Sequence, residues 1–369
     1  MLRATYLVQA DAGAIEARAE ALLLEQTVEL PRAALRDRTA RERVLGRIEL
    51  IELHDSEHYK VVVAQPLATT ALDPAQLLNV VFGNASLWPD VVLDDVNLPD
   101  HALAAFPGPN LGVEGWRALT GVADRPLTAT ALKPMGLDAV QLARLAGALA
   151  RAGLDVVKDD HGLADHPFCP FEQRVEACQR AVGEAAGESG RAAVYVPNLI
   201  GTPDRVFTQL RFAREAGVRA VMISPMVVGL PLLHQLAAES EDVAIMAHPA
   251  FGGSLRISET ALLGKLFRWY GADAVIFPHA GGRFSYSLDT CRALADEMRR
   301  PQSAHRSALP VPAGGIRVER VAQLVRFYGR DCMLLIGASL YEAGDQIGAR
   351  AGALVDAVAR AASEAAEET

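Results

Sequence analysis

Gly153-Leu154-Asp155-Val156-Val157-Lys158-Asp159-Asp160-His161 is an apolar run, too short for a helix, that ends in a lysine, two aspartates and a histidine. Such a run reads as a buried strand delivering ionisable groups to its own C-terminal end, the place where barrel enzymes put their chemistry. Side chains alternate along a strand, so Lys158 and Asp160 share a face, and His161 lies just beyond, where the strand opens into a loop. Together they suit a metal ion. A lysine and an aspartate that merely neutralise each other at a sheet edge would leave the same trace, and the rest of the chain has to decide between the two.

Outward from this stretch, short apolar runs recur from Leu127 onward with helical patterns between them. The strands expected are Leu127 to Leu132, Leu154 to Lys158, Ala193 to Pro197, Ala220 to Ile223, Val243 to Ala247, Ala274 to Phe277, Leu309 to Ala313 and Met333 to Ile336. Segments such as Ala139 to Ala152 and Asp204 to Ala216 carry the period of amphipathic helices, so the simplest closed solution is a (β/α)8 TIM barrel over residues 121–369. Its last stretch, after Ala349, reads as a surface helix with a frayed tail. Residues 1–120 alternate differently. Strands near Thr5 to Gln9, Arg47 to Leu53, Tyr59 to Ala64 and Asp90 to Val96, with helices at Ala14 to Glu25 and Asp73 to Val81, make a small α+β, ferredoxin-like domain. Pro107-Gly108-Pro109-Asn110-Leu111-Gly112 supplies the breakers of a linker, and a short helix around Gly115 to Leu119 follows it.

Composition agrees with a two-domain α/β chain. The 369 residues are 50% hydrophobic and 22% charged, enough for a large core. A net charge of −9 argues against a general nucleic-acid surface while leaving room for a local basic pocket around an anionic small molecule. Cys169, Cys178, Cys291 and Cys332 have neither CxxC pairing nor the spacing of a disulfide scaffold, and read as reduced thiols. With no secretory signal at Met1 to Val8 and no bilayer-length apolar segment, the expectation is a cytoplasmic protein without membrane contacts.

With eight strands, the residues after each one surround a single mouth. They are Lys133-Pro134-Met135-Gly136-Leu137, Lys158 to His161, Asn198, His248-Pro249-Ala250, Pro278 to Arg283, Ala313 to Arg317 and Gly337-Ala338-Ser339. Each alone is a weak signal, but their convergence in one mouth points to an active site. Loops after strands 7 and 8 of such barrels commonly bind phosphate through backbone N–H groups, and Gly314, Gly315, Gly337 and Ala338 lack bulk there, so a phosphorylated substrate is expected. Glycines that only turn the chain are the alternative reading.

Taken together, these motifs resemble the large subunit of ribulose-bisphosphate carboxylase, and more closely the RuBisCO-like proteins (form IV) that do not fix carbon dioxide. Leu132-Lys133-Pro134 with Gly136-Leu137 is similar to the family's lysine loop, and Gly153 to Asp160 to its Gly-x-Asp-x-x-Lys-x-Asp motif. Pro167-Phe168, Asn198, His248, Gly314-Gly315-Ile316 and Gly337 fall where the family has similar residues, and Glu25-Gln26-Thr27 and Asn79 to Gly83 resemble segments that reach the neighbouring subunit's active site. The resemblance implies a homodimer in which Glu25 and Asn79 serve the partner's site. It also implies that Lys158 is carbamylated by carbon dioxide and, with Asp160 and the next residue, holds Mg2+ or another divalent cation, with Lys133 as general acid/base. His248 and His161 complete the expected catalytic set.

Departures from the pattern matter equally. His161 stands where the family has a glutamate ligand, and imidazole suits borderline metals better than magnesium. Pro249, Ile276, Phe277 and Ala313 replace residues of the second phosphate site, and His279 to Arg283 replace the mobile sixth loop. These changes argue against carboxylation and for a substrate with one phosphate. The expected reaction is enolisation or rearrangement of a phosphorylated keto-sugar or keto-sugar acid through a metal-stabilised enediolate. The His279 to Arg283 loop, with donors for a carboxylate, inclines the reading to decarboxylation or C–C hydrolysis of 3-oxo-isoapionate 4-phosphate. Isomerisation of 5-methylthioribulose 1-phosphate and enolisation of a diketo-methylthiopentyl phosphate are the alternatives. Two further readings stay open: a free Lys158 amine forming a Schiff base, and a catalytically silent binding protein. His54, His58, His101, His166, His234 and His305 read as surface, capping or solvent residues.

Overall fold

The computed structural model describes every residue except Ser285, Glu368 and Thr369. The frayed tail expected at the C-terminus reaches into Glu368 and Thr369, outside the described residues, and the helix before it spans Ile347–Glu367.

The first domain is an antiparallel sheet of β1 (Leu2–Gln9), β2 (Arg47–Leu53), β3 (His58–Gln65) and β4 (Val91–Asn97) in the order β2-β3-β1-β4, the ferredoxin-like order. Leu2, Ala4, Tyr6 and Val8 alternate into its core. The Tyr6 hydroxyl donates to the carbonyl of Val81 at 2.6 Å, tying the helix Pro74–Phe82 to the sheet. That helix starts on an Asp73 cap with proline at its first position, two features that together fix an N-terminus.

The second domain is a parallel barrel built from β5 (Leu127–Leu132), β6 (Val156–Asp159), β7 (Val194–Val196), β8 (Asn198–Leu199), β9 (Ala220–Ile223), β10 (Ala244–Ala247), β11 (Ala274–Pro278), β12 (Leu309–Ala313) and β13 (Met333–Ile336). β7 and β8 are two parts of one barrel strand. Between them Pro197 has no N–H to give the ladder, although its carbonyl still accepts from Met222 at 2.8 Å. β13 pairs with β5, β7 with β6 and β8 with β9, so eight strands close the ring. Alternation divides each strand. Ala129, Val156, Val196, Met222, Met246 and Ile276 fill the barrel interior, whereas Val157, Tyr195, Val221, Ile245, Val275 and Phe277 pack against the helices.

At the bottom of the barrel, Val113 and Trp116 of the helix Gly112–Thr120 join the interior cluster and plug it. The buried Asp273 carboxylate accepts backbone N–H groups of Leu111, Gly112 and Ile245 at 2.6 to 2.7 Å, fastening the linker to the strands. His305, expected as a cap or a solvent contact, is buried and caps chain carbonyls. Its Nε2 lies 2.9 and 3.0 Å from the carbonyls of Leu103 and Phe106, because the chain ends leaving the first domain need a partner there. All four cysteines are buried and free, and among the described residues no helix is long and apolar enough to cross a membrane.

Candidate active site

The alternation that fills the barrel also sets its mouth. Continuing the inward positions past the strand ends puts Lys133, Lys158, Asp160 and His248 on the interior side, and they meet there. Lys158 is 2% exposed, and its Nζ donates to the carbonyl of Asp159 at 3.0 Å. Burial is the main reason its amine titrates at about 8 rather than in the usual lysine range, a pull that the nearby aspartates oppose. The Lys133 ammonium is ion-paired with Asp160 Oδ2. Asp160 Oδ1 accepts from the N–H of Gly162 at 3.0 Å and lies 3.3 Å from His161 Nδ1. Burial works to raise the Asp160 pKa, but Lys133 and the Gly162 N–H outweigh it and hold the carboxyl below its ordinary value.

The rings of His161 and His248 stack at 4.3 Å between centroids and 8° between planes. The N–H of Ala250 donates to His248 Nδ1 at 3.1 Å, so the neutral ring carries its proton on Nε2. Burial, followed by the charge of Lys158 and the neighbouring His161, keeps His248 well below the ordinary histidine pKa. His161 is lowered too, again chiefly by burial. The result is a neutral imidazole pair over two amines and a carboxylate.

Asp159, one position away from Asp160, points out of the barrel. It is fully buried and accepts from Arg174 Nε at 2.9 Å, the Tyr195 hydroxyl at 2.8 Å and the N–H of Asn198 at 3.1 Å. Asn198 braces the loop after β6: its Nδ2 donates to the carbonyls of His161 and Leu163, each at 3.0 Å, which commits its donor to the chain. Its Oδ1 is buried without a protein partner. Tyr341 drew no attention in the sequence, yet its hydroxyl donates to the carbonyl of Ala131 at 2.6 Å and accepts from the N–H of Lys133 at 3.1 Å, fixing the end of β5. No motif marks it; its place on the short helix Ala338–Tyr341 is the only trace.

Gly337 opens that helix, and the Ser339 hydroxyl donates to the carbonyl of Ile316 at 2.8 Å, joining the loops after β12 and β13. Gly314 and Gly315 sit on the first of these loops at φ +80° and +69°. A Cβ on Gly315 would stand 3.0 Å from the N and Cα atoms of Gly282, and one on Gly282 would stand 2.9 Å from the carbonyl carbon of Gly314. The two glycine pairs therefore clasp the sixth and seventh loops backbone to backbone, a function the sequence reading did not foresee.

His279 does not face the mouth, as expected of a substrate ligand. It shares the outward side of its strand with Phe277, is 2% exposed, and its Nδ1 lies 2.7 Å from the Tyr328 hydroxyl in the helix layer. The reason is parity: two positions on from an outward residue, the side chain points outward again. Arg283 is exposed, with its guanidinium 4.8 Å from the ring of Phe284.

Residues 112–369 match the family model of the ribulose bisphosphate carboxylase large chain, catalytic domain. The chain belongs to the RuBisCO-like branch of that family. Ribulose bisphosphate carboxylase-like protein 1 of Rhodopseudomonas palustris is 49% identical over 93% of each chain. The 5-methylthioribulose-1-phosphate isomerase of Rhodospirillum rubrum is 45% identical over 98% of this chain and 97% of its own. A 2,3-diketo-5-methylthiopentyl-1-phosphate enolase of Geobacillus thermodenitrificans is more distant, 35% identical over 92% and 87%. The crystal structure of a RuBisCO-like protein from Rhodopseudomonas palustris superposes with a TM-score of 0.91 at 44% identity, covering 97% of both chains.

Within this RuBisCO-like site, the donor set can be weighed for a cation. Among the described residues no group of three or more His, Cys, Asp or Glu side chains is placed to hold a metal ion. Asp160 and His161 offer two donors in contact, and the amine of Lys158, a poor ligand for a hard cation as it stands, becomes an oxygen donor only as a carbamate. The residues present therefore fit a divalent cation on the condition that Lys158 is modified. Glu25 and Asn79 lie together elsewhere. They line one cavity of about 180 Å³ in the first domain with Gln26, Thr27, Gln76 and Asn84, and no residue of the barrel mouth lines it. The Asn84 Nδ2 donates to Glu25 Oε1 at 2.9 Å.

Proposed function

We propose that this RuBisCO-like protein is an enzyme, not a carboxylase, that moves a proton at the carbon beside the ketone of a phosphorylated ketose, with 5-methylthioribulose 1-phosphate as the first candidate substrate. The observation that carries the reading is the meeting of Lys133, Lys158, Asp160, His161 and His248 at one barrel mouth. The near full-length relationship to an enzyme named for that isomerisation supports the choice of substrate.

Lys158 as carbamate, Asp160 and His161 would hold Mg2+ or another divalent cation, which would polarise the ketone. Lys133, at the open end of β5, would take the proton as a free amine, after its ammonium has lost one proton to solvent, and would return it from the ammonium so formed. His248 donates its Nε2–H to a substrate oxygen without carrying charge. The loops of Gly314, Gly315, Gly337 and Ala338 offer backbone N–H groups to the phosphate. Asn198 acts through the loop it braces, so its part is positioning. A second copy of the chain would close the site with the cavity of Glu25 and Asn79, making a homodimer. The keto-sugar-acid reaction ranks lower: His279, one of the donors proposed for a carboxylate, is engaged by Tyr328 in the helix layer, which leaves Arg283.

The test is hydrogen exchange. After incubation with bicarbonate and Mg2+, the protein should wash deuterium from solvent into 5-methylthioribulose 1-phosphate, and the peptide bearing Lys158 should gain the mass of one carbon dioxide that acid removes. A borohydride-stable adduct on Lys158 would replace this account with an imine mechanism. Binding without exchange across a panel of ketose phosphates would leave a silent binding protein.

A further inference from the structure

The loops following β9 and β10 differ from the charged loops that follow β5 and β6. Ser224 to Gly229 contain no ionisable residue, and His248 to Ser254 contain none beyond His248 itself. The two strands are paired neighbours, and the N–H of His248 donates to the carbonyl of Ile223 at 2.8 Å, so the loops leave the barrel side by side. Each presents a large apolar side chain to solvent: Val227 is 50% exposed and Phe251 is 68% exposed. Phe251 also has φ +67°, a conformation that side chains other than glycine rarely adopt. Its loop enforces this, since Gly252 N–H donates to Pro249 O at 2.9 Å and the Ser254 hydroxyl to Phe251 O at 2.7 Å. An apolar ring is thus held in water, on a strained backbone, one residue from the N–H that orients His248. Strain and apolar exposure at one residue beside an ion cluster point to a ligand contact.

Place in the ring defines which part of a ligand. β9 and β10 are the fourth and fifth barrel strands, and the glycine loops follow the seventh and eighth. In a ring of eight, the fourth strand lies opposite the eighth and the fifth lies opposite the first, so Val227 faces the loop of Gly337 across the mouth that Lys158 and Asp160 enter, and Phe251 stands beside it at the end of the neighbouring strand. We propose that Phe251 and Val227 seat the end of the substrate farthest from its phosphate, selecting a ketose monophosphate with a thioether or alkyl end over one ending in a hydroxyl or a second phosphate. This rests on the ketose-phosphate reading above for the position of the phosphate.

Equilibrium binding of 5-methylthioribulose 1-phosphate and of ribulose 1-phosphate, which differ only in a methylthio against a hydroxyl group, tests it without needing turnover. The unmodified chain, loaded with bicarbonate and Mg2+, should bind the methylthio compound roughly tenfold or more tightly. Phe251→Gly removes the ring and suits the backbone at φ +67°, so it should fold; it should weaken the methylthio compound about tenfold and so erase the preference. Val227→Ala should erode it by a smaller factor. Equal binding of the two compounds by the unmodified chain, or a preference that survives both substitutions, overturns the assignment. So does a Phe251→Gly protein that keeps the preference while sedimenting as a smaller species, which would make the ring a contact between copies. Tail preference without hydrogen exchange would sink the proposed reaction and leave the tail seat standing.

Discussion

At the bottom of the barrel, Asp155 is gripped by Arg125 through two nitrogens at 2.8 and 2.9 Å and by the N–H and hydroxyl of Thr128 at 2.7 and 2.8 Å. At the mouth, Lys158 is buried as deeply, but its Nζ donates to a backbone carbonyl, and the charges that act on it are the carboxylates of Asp160 and Asp159 and the second amine, Lys133. Two residues of one stretch, Val156 and Val157, separate the two. A buried charge that is fully paired holds a fold together, whereas one left short of partners keeps its chemistry available at some cost in stability. Ion pairing at the bottom is therefore read as structure and the crowding of amines at the mouth as function.

That contrast breaks or sharpens under substitution. The largest effect is expected of Lys158→Met, which should lower solvent exchange into the ketose phosphate by about a thousandfold or more while leaving the melting temperature unchanged or raised, because a desolvated amine is exchanged for an apolar chain of similar length. A fall in melting temperature matching that of a bottom-end variant would erase the distinction. Next comes Asp155→Ala, which strands the Arg125 guanidinium and should cost about 3–5 kcal/mol in chemical denaturation, with the folded fraction retaining its turnover number. Smallest is Gly315→Ala. Its Cβ must push the backbone of Gly282 away at a positive φ, so a loss of about 1–3 kcal/mol is expected together with a raised KM for the phosphorylated substrate. If KM stays put, the clasped glycines only turn the chain, and the phosphate cradle lies elsewhere.

Much of this was legible in the order of residues. Leu127–Leu132, Ala220–Ile223, Leu309–Ala313 and Met333–Ile336 end where their apolar runs do, because the next residues, Lys133, Ser224, Gly314 and Gly337, are polar or turn-forming. Period two along β6 was enough to put Lys158 and Asp160 on one side. The same period along β11 puts Phe277 and His279 on the outward side, although His279 lies one residue past the end of the strand, where the sequence alone reads as loop. Asn198 and Tyr341 were harder to read. Their donors and acceptors meet backbone atoms of distant segments, at Leu163 and Ala131, and nothing near them in sequence marks such a partner. The clasp of Gly282 against Gly315 has the same origin, since either pair alone reads as a turn.

Local pattern therefore determined the class of fold, the strand ends and the inward side of each strand, since hydrophobic period and turn chemistry are properties of neighbouring residues. Only the closed barrel decided that Asp159 would be locked to Arg174 and Tyr195 while Asp160 met Lys133, and that His161 would stack on His248. Those choices depend on which strand ends the ring brings within a few ångströms, a distance set by the packing of the whole core rather than by any one segment.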